Sequence, residues 1–143
     1  MEMLRFRQAT GADAPALAPL NAQLIRDEGH RNPMAVAELA ERMAVWLNDD
    51  YRAIIFESSE ELVGYALFRR EADHVYLRQL FIRPEHRRRG IGRLAVSWLW
   101  NNVWSDTSRV RIDVLIGNTG AAAFWRAVGF RDYCVTMEME APK

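Results

Sequence analysis

One stretch of the chain, residues 75–103, constrains the fold most, because it predicts a strand, a basic glycine turn and a helix in succession. Residues 75–82 (VYLRQLFI) are rich in β-branched and aromatic side chains, and Pro84 ends the strand pattern. Gly90 and Gly92 then precede apolar residues that recur at helical spacing. The first N–H groups of a helix are unpaired and lie at the positive end of its dipole. The sequence therefore predicts an anion site at this junction.

Four arginines surround the predicted turn: Arg87, Arg88, Arg89 and Arg93. Guanidinium groups bind phosphate oxygens bidentately, and glycine lets the main chain approach a phosphate because it has no Cβ. The formal net charge of the whole chain is +0 at pH 7, so the basic run is a local feature. We therefore expect a small di- or polyphosphate ligand and no nucleic-acid partner.

The remaining patterns predict an element order of β-α-α-β-β-β-α-β-α-β. The predicted strands cover residues 4–9, 51–57, 62–70, 75–82, 109–116 and 130–139, and the predicted helices cover residues 14–27, 34–47, 91–104 and 121–128. The strand at 109–116 follows one crossover helix, which suits a parallel neighbour of the strand at 75–82. This order indicates an α/β (α+β) fold with a mixed, mostly antiparallel central sheet flanked by helices. We expect residues 1–143 to form a single domain.

Composition limits the class of protein. Half of the residues are hydrophobic (50%) and 27% are charged, which is typical of a globular domain. The single cysteine, Cys134, excludes an internal disulfide and favours a cytoplasmic protein. No apolar run is long enough to cross a bilayer, and His30, His74 and His86 show no metal-ligand spacing. We therefore expect neither a membrane partner nor a bound metal.

Two segments resemble the signatures of the Gcn5-related N-acetyltransferases, the GNAT family. The turn RRRGIG, from Arg87 to Gly92, is similar to the family's R/Q-x-x-G-x-G/A turn. Residues 118–130 (NTGAAAFWRAVGF) resemble its second signature, N-x-x-A-x-x-F-Y-x-x-x-G-F. The resemblance covers nearly the whole chain. It implies the GNAT acyl-CoA N-acyltransferase fold and direct transfer of an acetyl group from acetyl-CoA to a small-molecule or peptide amine in a ternary complex.

The resemblance also implies where acetyl-CoA binds. The strand before the turn separates from its parallel neighbour, the pantetheine arm lies in the gap, and a main-chain N–H polarises the thioester carbonyl. Asn118 contacts the cofactor arm, although a plain helix N-cap is an equal expectation for it. The implied cofactor-binding residues are Leu80, Phe81, Ile82, Arg87, Arg88, Arg89, Gly90, Ile91, Gly92, Arg93, Asn118 and Trp125.

The chain departs from the family pattern at the residue that protonates the leaving thiolate. Trp125 stands where the second signature has a tyrosine, and an indole N–H is no useful acid. Either the thiolate leaves unassisted or another side chain donates the proton. Tyr133 is the first candidate donor, followed by Tyr76 and Cys134.

A second departure lies in the strand before the turn. Polyamine-acetylating relatives carry Y-L-E there, whereas this chain has YLR, which ends in Arg78. Arginine cannot act as a base near neutral pH, so we predict that Arg78 binds a carboxylate or phosphate on the acceptor and disfavours polyamines. The general base is then expected in the loop between the first two helices, where Glu28 and His30 are the candidates.

Two other functions fit parts of the sequence. Residues 90–95 also match the G-x-G-x-x-A fingerprint of dinucleotide-binding folds, but seven residues, 83–89, separate it from the preceding strand. The alternative from another class is a non-catalytic acetyl-CoA sensor or scaffold, which Trp125 and the missing strand carboxylate favour.

A homodimer is also expected, with Trp100 as a candidate contact because it lies off the core stripe of its helix. The acceptor and the acyl group, acetyl or another, stay open.

Overall fold

The computed structural model describes residues 4–143 and contains a five-stranded sheet with two helices packed on each face. The strands are β1 (Leu4–Gln8), β2 (Tyr51–Ser58), β3 (Glu61–Arg70), β4 (Val75–Ile82) and β5 (Val110–Ile112). The helices are α1 (Ala14–Glu28), α2 (Val36–Leu47), α3 (Ile91–Asn102) and α4 (Thr119–Ala127). The strands lie in chain order, and every neighbouring pair is antiparallel except β4 and β5. The predicted mixed, mostly antiparallel sheet is thereby confirmed. No helix within residues 4–143 has the length and apolar character needed to cross a bilayer.

The central strands bury side chains on both faces of the sheet. Because successive residues of a strand point to opposite faces, Ile55 and Leu67 pack with α1 and α2, whereas Phe56 and Phe68 pack with α3 and α4. Trp104, directly after α3, is fully buried in the second of these layers. The two cores hold the sheet rigidly between the helices and fix the position of β4.

The sheet opens between β4 and β5. These strands pair over only three positions, Val75 with Val110, Tyr76 with Arg111, and Leu77 with Ile112. Beyond them β4 continues to Ile82 while the chain after β5 leaves the sheet. The register of β4 against β3 shifts at Arg78, which is the residue left over between two pairs. The sequence-based expectation of a gap beside β4 agrees with this geometry.

Two predictions at the end of the chain are corrected by the structure. The strand predicted over residues 109–116 is limited to Val110–Ile112. The strand predicted over residues 130–139 is not formed, and residues 131–143 are all exposed and contain neither helix nor strand. Their main chain makes no hydrogen bond to the rest of residues 4–143. The alternating pattern is strand-like, but no strand within residues 4–143 pairs with it.

Trp100 also differs from its predicted environment. Its ring lies edge-to-face on Trp104, with 5.9 Å between the ring centres, and it is only partly exposed. The residue therefore extends the core of the α3 layer and presents less surface for a subunit contact than the helix pattern predicted.

Gly64 lets β3 approach the end of β4, at Phe81 and Ile82. A Cβ at this position would overlap the main-chain oxygen of Phe81 and lie 3.1 Å from the Cα of Ile82. The obstacle is main chain of the neighbouring strand, which cannot move aside as a flexible side chain can. Only glycine therefore permits the observed pairing of β3 with this part of β4.

We expect the Gly64→Ala substitution to lower the free energy of unfolding by about 3 kcal/mol or more, because the added methyl group must push β4 away. Thermal or urea unfolding followed by circular dichroism measures this change. The matched control is Gly117→Ala, where a Cβ meets nothing within 4 Å, and a change below about 0.5 kcal/mol is expected. Equal stability of the two variants would contradict the close approach.

Candidate functional site

A cleft of about 760 Å³ lies beside the opening in the sheet. It is bounded by the end of α1, the loop that follows, α2, and the part of β4 and β5 where the strands separate. Among its charged walls are Glu28, His30, Arg42, Arg78 and Asp113. Carboxylate, imidazole and guanidinium groups from distant parts of the sequence therefore meet in one place.

Glu28 and His30 form a pair at the mouth of this cleft. The Glu28 Oε1 atom lies 3.0 Å from the His30 Nε2 atom. Burial raises the pKa of the Glu28 carboxyl above its usual range, and the neighbouring His30 opposes that shift only in part. A carboxylate with a raised pKa is a stronger base than an ordinary glutamate. Both residues predicted as base candidates thus lie where an acceptor could reach them.

Tyr76 and Asp113 close the side of the cleft nearest the sheet. The Tyr76 hydroxyl donates a hydrogen bond of 2.9 Å to the Asp113 Oδ2 atom. Burial is the larger cause and this hydrogen bond the next, and together they raise the pKa of Tyr76 to about 12. Tyr76 therefore keeps its proton at neutral pH and directs it toward Asp113.

Arg42 and Arg78 both lie on the ring of Trp46. Their guanidinium carbons are 4.3 Å and 4.6 Å from the ring centre. Arg78 Nη1 donates to the Tyr51 hydroxyl at 3.2 Å, and Arg42 Nη2 donates to Asn21 Oδ1 at 3.3 Å. Within residues 4–143 neither arginine pairs with a carboxylate. Burial and then the charge of Arg78 lower the pKa of Arg42.

The basic turn presents unpaired main-chain donors. The N–H groups of residues 88–93 have no acceptor within the part of the chain that the structure describes. Gly90 adopts a φ of 75°, a left-handed conformation that glycine tolerates, and α3 begins directly after it. The side chains of Arg88 and Arg89 are exposed and make no hydrogen bond or ion pair within residues 4–143. The turn can therefore bind a polyanion.

Arg87 ties this turn to α1. Its Nη2 atom donates to Asp27 Oδ2 at 2.7 Å, and its Nε atom donates to the main-chain oxygen of Ile82 at 2.7 Å. The guanidinium also lies 5.2 Å from the ring centre of Phe81. Burial acts to raise the pKa of Asp27, but its hydrogen bonds, with Arg87 foremost, outweigh burial and hold it below the usual range. The Arg87 side chain thus already has hydrogen-bond partners within the protein.

Gly92 and Arg93 join the turn to α4. A Cβ on Gly92 would lie 3.0 Å from ring carbons of Phe124. Arg93 Nη2 donates to the main-chain oxygen of Ala127 at 3.1 Å, at the end of α4. Close packing of α3 against α4 is therefore one reason for the second glycine of the motif.

The main chain of β4 faces the opening at alternate residues. Arg83 N donates to Val63 O at 2.8 Å across the β3 side. Because main-chain groups alternate along a strand, the N–H groups of Leu80 and Ile82 point to the opposite side, where β5 has left. Phe81 instead packs its buried ring beside Tyr65 in the first core.

Asn118 and Trp125 have structural roles in α4. The Asn118 Oδ1 atom accepts a hydrogen bond of 3.2 Å from Ala121 N and caps the helix. Trp125 is buried and packs edge-to-face on Phe124 and Phe130, with ring centres 4.9 Å and 5.1 Å away. The N-cap expectation for Asn118 is confirmed, and its side-chain nitrogen stays free of a partner within residues 4–143.

The structure does not bring Tyr133 into the cleft. Its side chain is 73% exposed, and its hydroxyl accepts a hydrogen bond of 3.3 Å from Arg111 Nη2. Cys134 beside it is exposed as well. Of the predicted proton donors, only Tyr76 lines the cleft.

Sequence reasoning missed Arg42 and Trp46. The available signal was their spacing of four residues on α2, which puts both side chains on one helix face. The pairing of Asp113 with Tyr76 was missed as well, because these residues lie 37 positions apart in the sequence. Both omissions concern contacts between separate elements.

Comparison with known proteins identifies the fold. The acetyltransferase (GNAT) family model matches residues 20–130. A possible acetyltransferase from Clostridium difficile 630 superimposes with a TM-score of 0.83 at 17% identity, covering 99% of each chain. The aminoglycoside N-acetyltransferase AAC(6')-Iy in complex with CoA gives 0.79 at 16% identity, covering 99% of this chain and 96% of that one.

A ribosomal-protein-alanine N-acetyltransferase from Brucella melitensis biovar Abortus 2308 gives a TM-score of 0.79 at 15% identity, with 97% of this chain and 100% of that one covered. A comparison with curated protein sequences found no match. The family model spans most of the chain, including the basic turn and the helix that Asn118 caps. The chain therefore belongs to the acetyltransferase (GNAT) family and is an acyl-CoA-dependent N-acetyltransferase.

Proposed function

We propose that this chain, as a single domain, transfers the acetyl group of acetyl-CoA to the primary amine of a small acceptor that carries an acidic group. The proposal depends above all on the separation of β4 from β5 after three pairs. The unpaired part of β4 runs from Arg78, which lines the cleft, to Ile82, shortly before the basic turn. A donor bound along it would direct its acyl group toward an acceptor in the cleft. A structural relative, AAC(6')-Iy, was crystallised with CoA, which supports the choice of donor.

The residues of the turn fit the pyrophosphate of CoA. The free N–H groups of residues 88–93 and the unpaired side chains of Arg88 and Arg89 supply the donors. The N–H groups of Leu80 and Ile82 face the opening, where one of them can polarise a thioester carbonyl. The free side-chain nitrogen of Asn118 is available to the pantetheine arm.

We propose Glu28 as the general base, with His30 as its partner. An ammonium group must lose a proton before its nitrogen can attack, and Glu28 lies in the cleft with a raised pKa. His30, 3.0 Å away, can take the proton onward to solvent. Because Tyr76 directs its proton to Asp113, we further propose that the thiolate leaves without a dedicated acid.

The acceptor's acidic group would lie on Arg42 and Arg78. Two guanidinium groups without a carboxylate partner leave a site that an anion would neutralise. A carboxylate there would place the amine of the same molecule within the cleft that Glu28 also lines. Polyamines, which carry only positive charge, would be repelled.

The function is tested by measuring release of free CoA from acetyl-CoA with a panel of amines: amino acids, polyamines, aminoglycosides and peptides with free N-termini. We expect turnover with amines that carry a carboxylate or phosphate. The Arg88→Gln/Arg89→Gln variant should raise the KM for acetyl-CoA about tenfold or more, because it loses charge-assisted bonds to phosphate.

The control for this variant is Arg52→Gln, another exposed arginine without a partner within residues 4–143. Its KM should stay at the wild-type value. Tight acetyl-CoA binding without turnover on any amine would favour the sensor alternative, and absence of acetyl-CoA binding would refute the assigned donor.

We expect Glu28→Gln to lower kcat about 10²- to 10⁴-fold, with little change in the KM for acetyl-CoA. Only the deprotonated carboxylate acts as a base, so the wild-type rate should fall as pH decreases through the raised pKa of Glu28. The Gln variant should lack this acidic limb of the pH–rate profile. Glu41→Gln, an exposed residue of α2, is the control. An unchanged acidic limb in Glu28→Gln would assign the base elsewhere.

We expect Arg78→Glu to raise the KM for acidic acceptors about 10- to 100-fold, because attraction becomes repulsion, and to improve polyamines relative to them. Steady-state kinetics with one acidic amine and one polyamine measure the change. Arg52→Glu makes the same charge reversal outside the cleft and should leave the preference unaltered. An unaltered preference in Arg78→Glu would remove Arg78 from the acceptor site.

A further inference from the structure

A buried amide side chain lies on the wall of the cleft, on the part of β4 that β5 does not pair with. It belongs to Gln79, which is only 9% exposed and lines the cleft. A buried amide destabilises a fold unless its polar atoms find hydrogen-bond partners. The partners of the two polar atoms of Gln79 therefore indicate what the side chain does in the cleft.

The bulge at Arg78 decides which face of the sheet Gln79 occupies. In a regular strand Leu77 and Gln79 would point to the same face. Because Arg78 is the residue left over between two pairs, the alternation shifts by one residue there. Leu77 packs in the α3 and α4 layer, whereas Gln79 bonds to the first core, where Phe81 also packs. The bulge thus brings an amide to the side of α1 and α2, where the cleft lies.

Tyr65 fixes the orientation of this amide. The Tyr65 side chain is fully buried, and its hydroxyl donates a hydrogen bond of 2.7 Å to the Gln79 Oε1 atom. Burial, and after it the charge of Glu28, raise the pKa of Tyr65, so the hydroxyl keeps its proton. If the amide were turned over, this buried proton would have no acceptor within residues 4–143, which is costly. Tyr65 therefore holds the oxygen of the amide and leaves the nitrogen on the other side.

The Gln79 nitrogen is a free donor that the cleft can reach. Nε2 has no hydrogen-bond partner within residues 4–143. The fully covered side-chain atoms without a partner in that range are Asn21 Nδ2, Arg42 Nε and Trp104 Nε1, so Gln79 Nε2 is not enclosed. An amide nitrogen carries two N–H groups and accepts no hydrogen bond. It therefore suits an oxygen atom of a bound molecule.

The amide lies close to the reacting parts of the cleft. Glu28 raises and Arg42 lowers the pKa of Tyr65, whose hydroxyl is 2.7 Å from the amide, so both charges are near it. Leu80, whose main-chain N–H faces the opening, directly follows Gln79 in β4. Gln79 is thus near the proposed base, one of the proposed anion-binding arginines and the proposed thioester site.

We propose that Gln79 is a specificity-determining residue of the acceptor site, and that its Nε2 atom donates to a carbonyl oxygen located between the amine and the acidic group of the acceptor. Tyr65 is the positioning residue that orients the amide. A carbonyl oxygen suits this donor because it only accepts hydrogen bonds. The acceptor class narrows to molecules of peptide type, in which an amine, an amide carbonyl and an acid follow one another. The inference rests on the proposed function, because it requires an acidic amine in the cleft.

The probes for the test are two amines, glycyl-β-alanine and ε-aminocaproate. Each has one primary amine and one carboxylate at the same chain spacing, and only the first has a peptide group between them. The wild type should acetylate glycyl-β-alanine with the higher kcat/KM. The two amines also differ in basicity, so the decisive quantity is the change in this preference between variants, in which that difference cancels. Equal kcat/KM values for the wild type would overturn the inference.

The Gln79→Glu and Gln79→Met variants should each lower the preference about tenfold, because both remove the N–H donor and keep the length of the side chain. The change should appear in the KM for glycyl-β-alanine, with the KM for acetyl-CoA unaltered. Gln8→Glu makes the same exchange on an exposed residue of β1 outside the cleft and should keep the preference. Circular dichroism verifies that each variant is folded.

The outcomes separate this inference from the proposed function. A preference that survives both Gln79 variants, or that is lost only in the charged one, would refute the role of Gln79 and leave the acetyltransferase reaction intact. If the wild type binds acetyl-CoA but acetylates neither amine, the proposed acidic acceptor itself is contradicted.

The role of Tyr65 is tested with Tyr65→Phe, alone and combined with Gln79→Met. Alone, the loss of the hydroxyl should lower the preference for glycyl-β-alanine, because the amide can then turn over. In the Gln79→Met background it should have no further effect on the preference, because Tyr65 acts only through the amide. A purely structural role would lower kcat/KM for both amines equally. An unchanged preference in Tyr65→Phe, or a further loss in the double variant, would overturn the positioning role.

Discussion

The parting of β4 and β5 is the constraint on which the rest of the site depends. If both strands of this parallel pair ended at the same level, the sheet would have no opening. Here β4 continues beyond Leu77, where β5 no longer pairs with it. Its free main-chain groups would weaken the sheet if the strand were not clamped elsewhere. Packing of β4 against β3 and the bond from Arg87 to Ile82 supply that clamp. The part of β4 beside the opening is therefore held in place by contacts other than a parallel neighbour.

Charge is distributed unevenly around this opening. At the turn, Arg87 is neutralised by Asp27, whereas Arg88 and Arg89 are left without partners in the described part of the chain. In the cleft, Arg42 and Arg78 share the face of Trp46. A partly buried cation without a counterion is costly unless solvent or a ligand compensates it. Arginine side chains without a carboxylate partner in the described part of the chain are therefore present both at the turn and in the cleft.

Some elements followed directly from the sequence because their signals are local. The bounds of β4 and the start of α1 agree with the predictions, since a β-branched run ended by Pro84 and a polar cap before residue 14 act over a few residues. The glycine turn was located for the same reason. Its second glycine was assigned to phosphate approach alone, and packing against Phe124 could not be inferred from a spacing.

The missed features are those that depend on a partner in space. Residues 130–139 have the alternation of a strand, but a strand exists only beside another strand, and the sequence cannot say whether one is near. The joint position of Arg42 and Arg78 on Trp46 required two elements to be packed together. The predicted length of β5 was wrong for the same reason. The chain leaves the sheet after Ile112, whereas β4 continues to Ile82.

The placement of the tryptophans has an optical consequence. Trp46 lies against the guanidinium groups of Arg42 and Arg78, which line the cleft, whereas Trp98, Trp100, Trp104 and Trp125 belong to the core on the other face of the sheet. Indole emission responds to nearby charge and to hydration, so the two environments differ in spectrum. Intrinsic fluorescence of the unlabelled protein thus contains one component that senses the cleft and another that senses the integrity of the α3 and α4 layer. The protein's own tryptophans therefore report separately on the cleft and on the α3 and α4 layer.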